Sequence, residues 1–117
     1  MTHRPPLTQG EIEDRILGMT DSLESATEQF ADDAEKAAET EADYRYEYAR
    51  AMLAFAAEPT LRNAQQREAR VIVHCKDKLR ERLIAEARRN ATRESLLSHR
   101  TTIDALRTLS ANVRAQT

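Results

Sequence analysis

Apolar residues in the first half of this chain recur at alternating intervals of four and three. The series runs Ile12, Ile16, Met19, Leu23, Ala26, Phe30, Ala34, Ala37, then resumes at Tyr44, Tyr48, Ala51 and Phe55 after Glu41 interrupts it. That spacing is a coiled-coil seam, and a helix that carries it must bury one narrow stripe against another helix. Thr8 and Glu11 have the form of a capping box, with Leu7 and Ile12 as the accompanying hydrophobic staple. A helix is therefore predicted from Thr8. Gly18, followed by Thr20-Asp21, predicts a bend in it. Pro5-Pro6 blocks a helix before Thr8, so residues 1–7 are expected to form a disordered arm.

The residue before a proline is pushed out of helical geometry, so Pro59 ends the first arm. Thr60 is the candidate cap of the next helix. Residues 61–100 contain no Gly or Pro. On a straight helical wheel Ile72, Leu79, Leu83, Asn90 and Leu97 fall in a narrow arc, the expected inner face. Ile103, Leu106, Leu109 and Val113 lie well around from that arc. This shift predicts either a break near Asn90 or Thr101-Thr102, or a last stretch that faces a different neighbour. The expected organisation is one helical domain over 8–115, with arm one about 8–57, a turn at 58–60 and arm two about 61–115. The fold class is all-α: a long, coiled-coil-like antiparallel helical hairpin.

Composition supports helices and a thin core. The chain has 117 residues, 2 Gly, 3 Pro and no Trp, and much of its 40% hydrophobic content is Ala. A thin core in a small chain often needs a partner subunit. Ala31, Ala38, Ala42, Met52 and Leu53 on arm one form a second stripe. Val73, Ile84 and Ala91 on arm two form another. These stripes predict self-association, with a dimer favoured.

Charge is sorted by half. Residues 1–58 hold 14 Asp/Glu and 5 Lys/Arg, whereas residues 59–117 hold 6 and 13. The net charge of −2 favours neither nucleic acid nor membrane. No apolar run approaches a membrane span. The opening residues, Met1 to Pro6, read as no signal peptide, and a single Cys75 forms no intramolecular disulfide. A cytoplasmic location is expected, the host cytoplasm if the chain is phage-encoded.

Few residues suggest chemistry. Lys78, Arg82, Arg89, Arg93 and Arg100 fall along one side of a helical wheel and could track a nucleic-acid backbone. The alternative is that they face the acidic run from Asp32 to Glu47 and are neutralised there. That acidic run is itself a candidate DNA mimic if it stays exposed. Tyr44 and Tyr48 share a face, which suits packing near the hairpin tip or stacking on bases. His74 and Cys75 are neighbours, and helical neighbours diverge by about 100°, so they do not form a catalytic dyad. There is no Gly-rich phosphate loop. No enzyme, metal or cofactor is expected.

The stretch from Thr102 to Arg114 resembles the C-terminus of small helical proteins encoded by actinobacterial phages and prophages. Glu41-Ala42-Asp43-Tyr44, Ala49-Arg50-Ala51, Thr60 and Arg67 are similar too, so the resemblance covers about residues 38–115. It implies an accessory, non-enzymatic role in DNA recombination, replication or host takeover, through a protein partner. It gives the tail a meaning as well: Arg107, Asn112 and Arg114 would form a partner-binding surface beside Ile103, Leu106, Leu109 and Val113.

Overall fold

The computed structural model describes residues 7–116; apart from Leu7, the expected N-terminal arm lies outside them. The fold is all-α, an antiparallel helical hairpin. One arm is α1 (Gln9–Ala56), and the other is α2 (Ala64–His74) followed by α3 (Lys76–Ala115). Among the described residues there is no strand.

The caps explain where the helices begin. Thr8 Oγ1 accepts the Glu11 N–H at 3.1 Å, satisfying one of the first-turn donors. Ile12, at the staple position, is completely buried. The second arm starts later than expected. Asn63, not Thr60, is the N-cap, and its Oδ1 accepts the Gln66 N–H at 2.8 Å. Gln66 Oε1 in turn accepts the Arg62 N–H at 2.9 Å. The Thr60 hydroxyl instead donates to the Glu58 carboxylate at 3.1 Å, three residues before that cap.

Gly18 does not interrupt its helix, and the break near Asn90 or Thr101-Thr102 is absent. α1 and α3 run through these positions. A single glycine costs about 1 kcal/mol in a helix, too little to interrupt one held by a seam on both sides. The interruption falls at Cys75, whose φ of −90° and ψ of 7° separate α2 from α3. The hydrogen-bond ladder nevertheless continues, from Cys75 N–H to the Val71 carbonyl and from Leu79 N–H to the Cys75 carbonyl, each at 2.9 Å.

The chain divides into two compact units. Of the described residues, 7–30 with 92–116 make the first, and 31–91 make the second. In the first, Ile12, Leu96, Ile103 and Ser110 are buried, with Ile16, Met19, Leu23, Leu106 and Val113 half-buried. The helices run antiparallel there: Gln9 Nε2 donates to Ser110 Oγ at 2.8 Å, and Arg114 Nη2 meets Glu13 Oε1 at 3.4 Å. In the second unit Ala51, Val71 and Cys75 form the core, with Tyr44, Tyr48 and Phe55 packed against it. Ala37, Thr40 and Ala85 are also buried. Thr40 carries the seam past Glu41, its hydroxyl satisfied by the Lys36 and Ala37 carbonyls at 2.9 and 3.1 Å.

On the second arm the inner face differs from the expected one. Ile72, Leu83 and Leu97 are 49%, 53% and 45% exposed. The seam lies one residue earlier: Val71, Cys75, Lys78, Arg82, Ala85, Arg89, Thr92, Leu96, His99, Ile103, Leu106, Ser110 and Val113 are all buried or half-buried. These positions alternate four and three without a break. Ile103, Leu106 and Val113 belong to this same seam, and only Leu109 of that group turns outward.

Candidate interaction surfaces

The seam decides what the basic residues do. Arg82 lies at a seam position, its guanidinium 5.1 Å from the centroid of the Tyr44 ring. Its Nε bonds Glu86 Oε1 at 3.0 Å, and this carboxylate, reinforced by Glu41, holds the guanidinium above its usual pKa. Lys78 is half-buried and pairs with Glu81 at 3.6 Å. Arg89 is also a half-buried seam residue. Arg93 and Arg100 are exposed. The expected stripe of Lys78, Arg82, Arg89, Arg93 and Arg100 is thus two sets: three residues on the seam and two on a flank.

Within the acidic run from Asp32 to Glu47, Glu41 pairs with Arg45 on its own helix at 3.0 Å. Glu47 reaches the second arm, with its Oε1 2.9 Å from His74 Nε2. That bond holds the Glu47 carboxyl below the usual carboxylate range, with smaller help from the charges of Arg50, His74 and Lys78. His74 also sets its ring edge-on to Phe55, centroids 5.7 Å apart, and Arg70 sits over the same ring. Tyr44 and Tyr48 pack as a tilted pair at 6.0 Å, and Tyr46 points to solvent. Their burial against the core assigns them to packing.

Cys75 is buried in the core while the His74 side chain turns to Glu47, so the neighbours do not meet as a dyad. Burial pushes the Cys75 thiol above its usual pKa, reinforced by the nearby Glu47 charge. A thiol in that environment is a poor nucleophile. Among the described residues no three His, Cys, Asp or Glu side chains cluster as metal ligands would. None of the described helices is long and apolar enough to cross a membrane.

Two of the three tail residues come together. Arg107 and Arg114 line a groove in the first unit with Glu13, Ile16, Leu17, Ser110 and Ala111. Asn112 is exposed but does not line it. The proposed self-association residues Val73, Ile84 and Ala91 all face outward. Ile84 also borders a groove with Lys36, Thr40, Glu81, Ala85 and Arg88.

Ile72 and Leu83, which the wheel placed inside, stand outside beside the expected self-association residues Val73 and Ile84. Ile72-Val73 and Leu83-Ile84 are adjacent apolar pairs, all four residues exposed, with Val73 at 67%. They stand eleven residues apart, about three helical turns, so both pairs share one side of the arm. Single exposed apolar residues are ordinary, but paired and aligned ones mark an interaction surface. No protein-family model, curated protein or solved structure matches the chain.

Proposed function

We propose that this chain is a non-enzymatic helical interaction protein that receives a partner helix on the Ile72-Val73 and Leu83-Ile84 side of its second arm. The aligned exposure of those four residues carries the reading. An apolar helix face presented at one pair per three turns suits helix-in-groove or helix-on-helix docking, where residues a few turns apart serve as anchors. A second copy of the chain would use the same face to form a dimer, together with Ala91. The role proposed, on the resemblance of residues 38–115 to phage-encoded helical proteins, is an accessory one in phage DNA recombination, replication or host takeover, in the host cytoplasm.

The test uses the full chain and a Val73→Glu/Ile84→Glu variant. Both positions are exposed, so the variant is expected to keep its helical circular dichroism. Light scattering reads dimerisation, and affinity capture from host lysate reads a heterologous partner. A partner or dimer present with wild type and lost with the variant supports the proposal. Equal behaviour of the two proteins would sink it.

A further inference from the structure

Every basic residue between 92 and 117 sits at the same phase of a seven-residue repeat: Arg93, Arg100, Arg107 and Arg114. All four are exposed. Successive members lie about 10.5 Å apart along α3. They run along the flank of the seam, since each follows a seam residue (Thr92, His99, Leu106, Val113) by one position. Opposite them on α1 the chain offers little charge. Thr20, Arg100 and Arg107 border one groove with Asp104, but no ion pair forms in it among the described residues. The hydroxyls of Thr20 and Thr27 are turned back to the Ile16 and Leu23 carbonyls of their own helix, each at 2.8 Å. Arg114 has a carboxylate from α1, Glu13 at 3.4 Å.

α1 carries a matching row of the opposite sign. Asp14, Asp21 and Glu28 repeat at the same seven-residue interval, and Glu35 continues it. All are exposed, and none forms an ion pair among the described residues. Each stands two residues after a seam residue or its equivalent (Ile12, Met19, Ala26, Asp33), which turns it about 200° from the seam, to the far side of α1. The chain therefore has two complementary rows of equal period, and among the described residues Arg93, Arg100 and Arg107 on one and Asp14, Asp21, Glu28 and Glu35 on the other form no ion pair. The acidic row faces directly away from α3, so the two rows of one copy do not meet each other.

We propose that these rows pair between copies: the acidic row of α1 in one molecule lies along the arginine row of α3 in the next. The geometry makes this contact heterologous. The arginines point sideways and the carboxylates point outward, so a neighbour seated on the arginine row presents its own arginine row farther out. A two-fold dimer would need both rows on one self-complementary patch, which they are not. A heterologous contact of this kind propagates, giving an open side-by-side assembly unless the rotation closes a ring. The occupant is a second copy and not a nucleic acid on two grounds. Its row has the matching period, and residues 1–30 with 92–117 hold 8 Asp/Glu against 6 Lys/Arg, a net negative field that opposes phosphate. Exposed pairs are individually weak and screened by salt, so the contact depends on the whole row. It uses residues distinct from Val73 and Ile84, so it stands or falls independently of the docking face proposed above.

The test is sedimentation velocity of the full chain at rising concentration in low and high salt. Assembly past a dimer is expected at low salt, weakened by on the order of tenfold near 0.3 M salt. Arg100→Glu/Arg107→Glu abolishes it, and so does Asp21→Lys/Glu28→Lys, with circular dichroism confirming that both variants remain helical. An equimolar mixture of the two variants restores assembly, because the intact acidic row of one meets the intact arginine row of the other and the two charge-reversed rows are again complementary. A mass independent of salt, variants that assemble like wild type, or a mixture that stays apart would overturn the proposal. So would a chain that stays unassembled at low salt yet binds a single-stranded oligonucleotide through Arg100 and Arg107.

Discussion

Arg82 stacks its guanidinium over the Tyr44 ring, 5.1 Å from the centroid, while its Nε holds Glu86 at 3.0 Å. A charged residue thus occupies a seam position without a buried, unpaired charge. The aromatic face takes one side of the planar group, and a carboxylate on its own helix takes the edge. This pairing of the arms depends on Tyr44 as much as on Arg82.

Arg82→Ala is expected to lower the stability of the protein, because it removes both the cation–π contact with Tyr44 and the i, i+4 ion pair with Glu86. Arg80→Ala, two residues away and exposed, is expected to stay within about 0.5 kcal/mol. Urea unfolding of the two variants checks the difference. Equal midpoints would show that the Tyr44 contact contributes nothing.

Acid weakens the contact between Glu47 and His74. The Glu47 carboxyl is depressed below its ordinary value of 4.5, chiefly by the His74 hydrogen bond. A group whose folded pKa is lowered stabilises the fold above its unfolded pKa, and that contribution is lost as pH falls through the folded value. The loss therefore falls below about pH 4.5. Glu47→Gln should flatten this limb in thermal melts taken from neutral pH downward. An unchanged limb would assign it to other carboxylates.

Asn63→Ala is expected to cost about 1 kcal/mol, because it leaves the Gln66 N–H at the start of α2 without its acceptor. Thr60→Ala should leave the helix start unaffected. Hydrogen exchange at Gln66 and Arg67 reads the difference directly. Protection lost in the Thr60 variant instead would return the cap to Thr60.

Gly18→Ala should raise stability by about 0.5–1 kcal/mol, since a Cβ there meets nothing within 4 Å and the residue lies inside a continuous helix. A lower melting temperature would mean that the helix needs flexibility at Gly18.

The Cys75 thiol is buried and its pKa raised, so a thiol reagent should modify it slowly in the native protein and rapidly once the chain is unfolded. Fast native labelling would mean that the Ala51-Val71-Cys75 core opens readily.

The start of α1 at Thr8 and its seam from Ile12 to Phe55 were legible, because local capping chemistry and strong apolar residues mark them. The exact seam of the second arm was not. Its inner positions include Lys78, Arg82, Arg89, Thr92 and His99, which hydrophobicity alone places outside. A series with period 3.5 also drifts by about 20° per heptad on a straight wheel, so from Val71 to Val113 the real seam smears across some 120°. The straight wheel favoured Ile72, Leu83 and Leu97 instead and read the drift as a break. The sequence by itself determined that the chain is helical, that it turns back near Pro59, and that its charges are sorted. Only the tertiary structure decided which stripe of the second arm meets α1. That choice rests on what α1 offers, the Tyr44 face and the Glu47 carboxylate. A helix read alone contains no record of its neighbour's side chains.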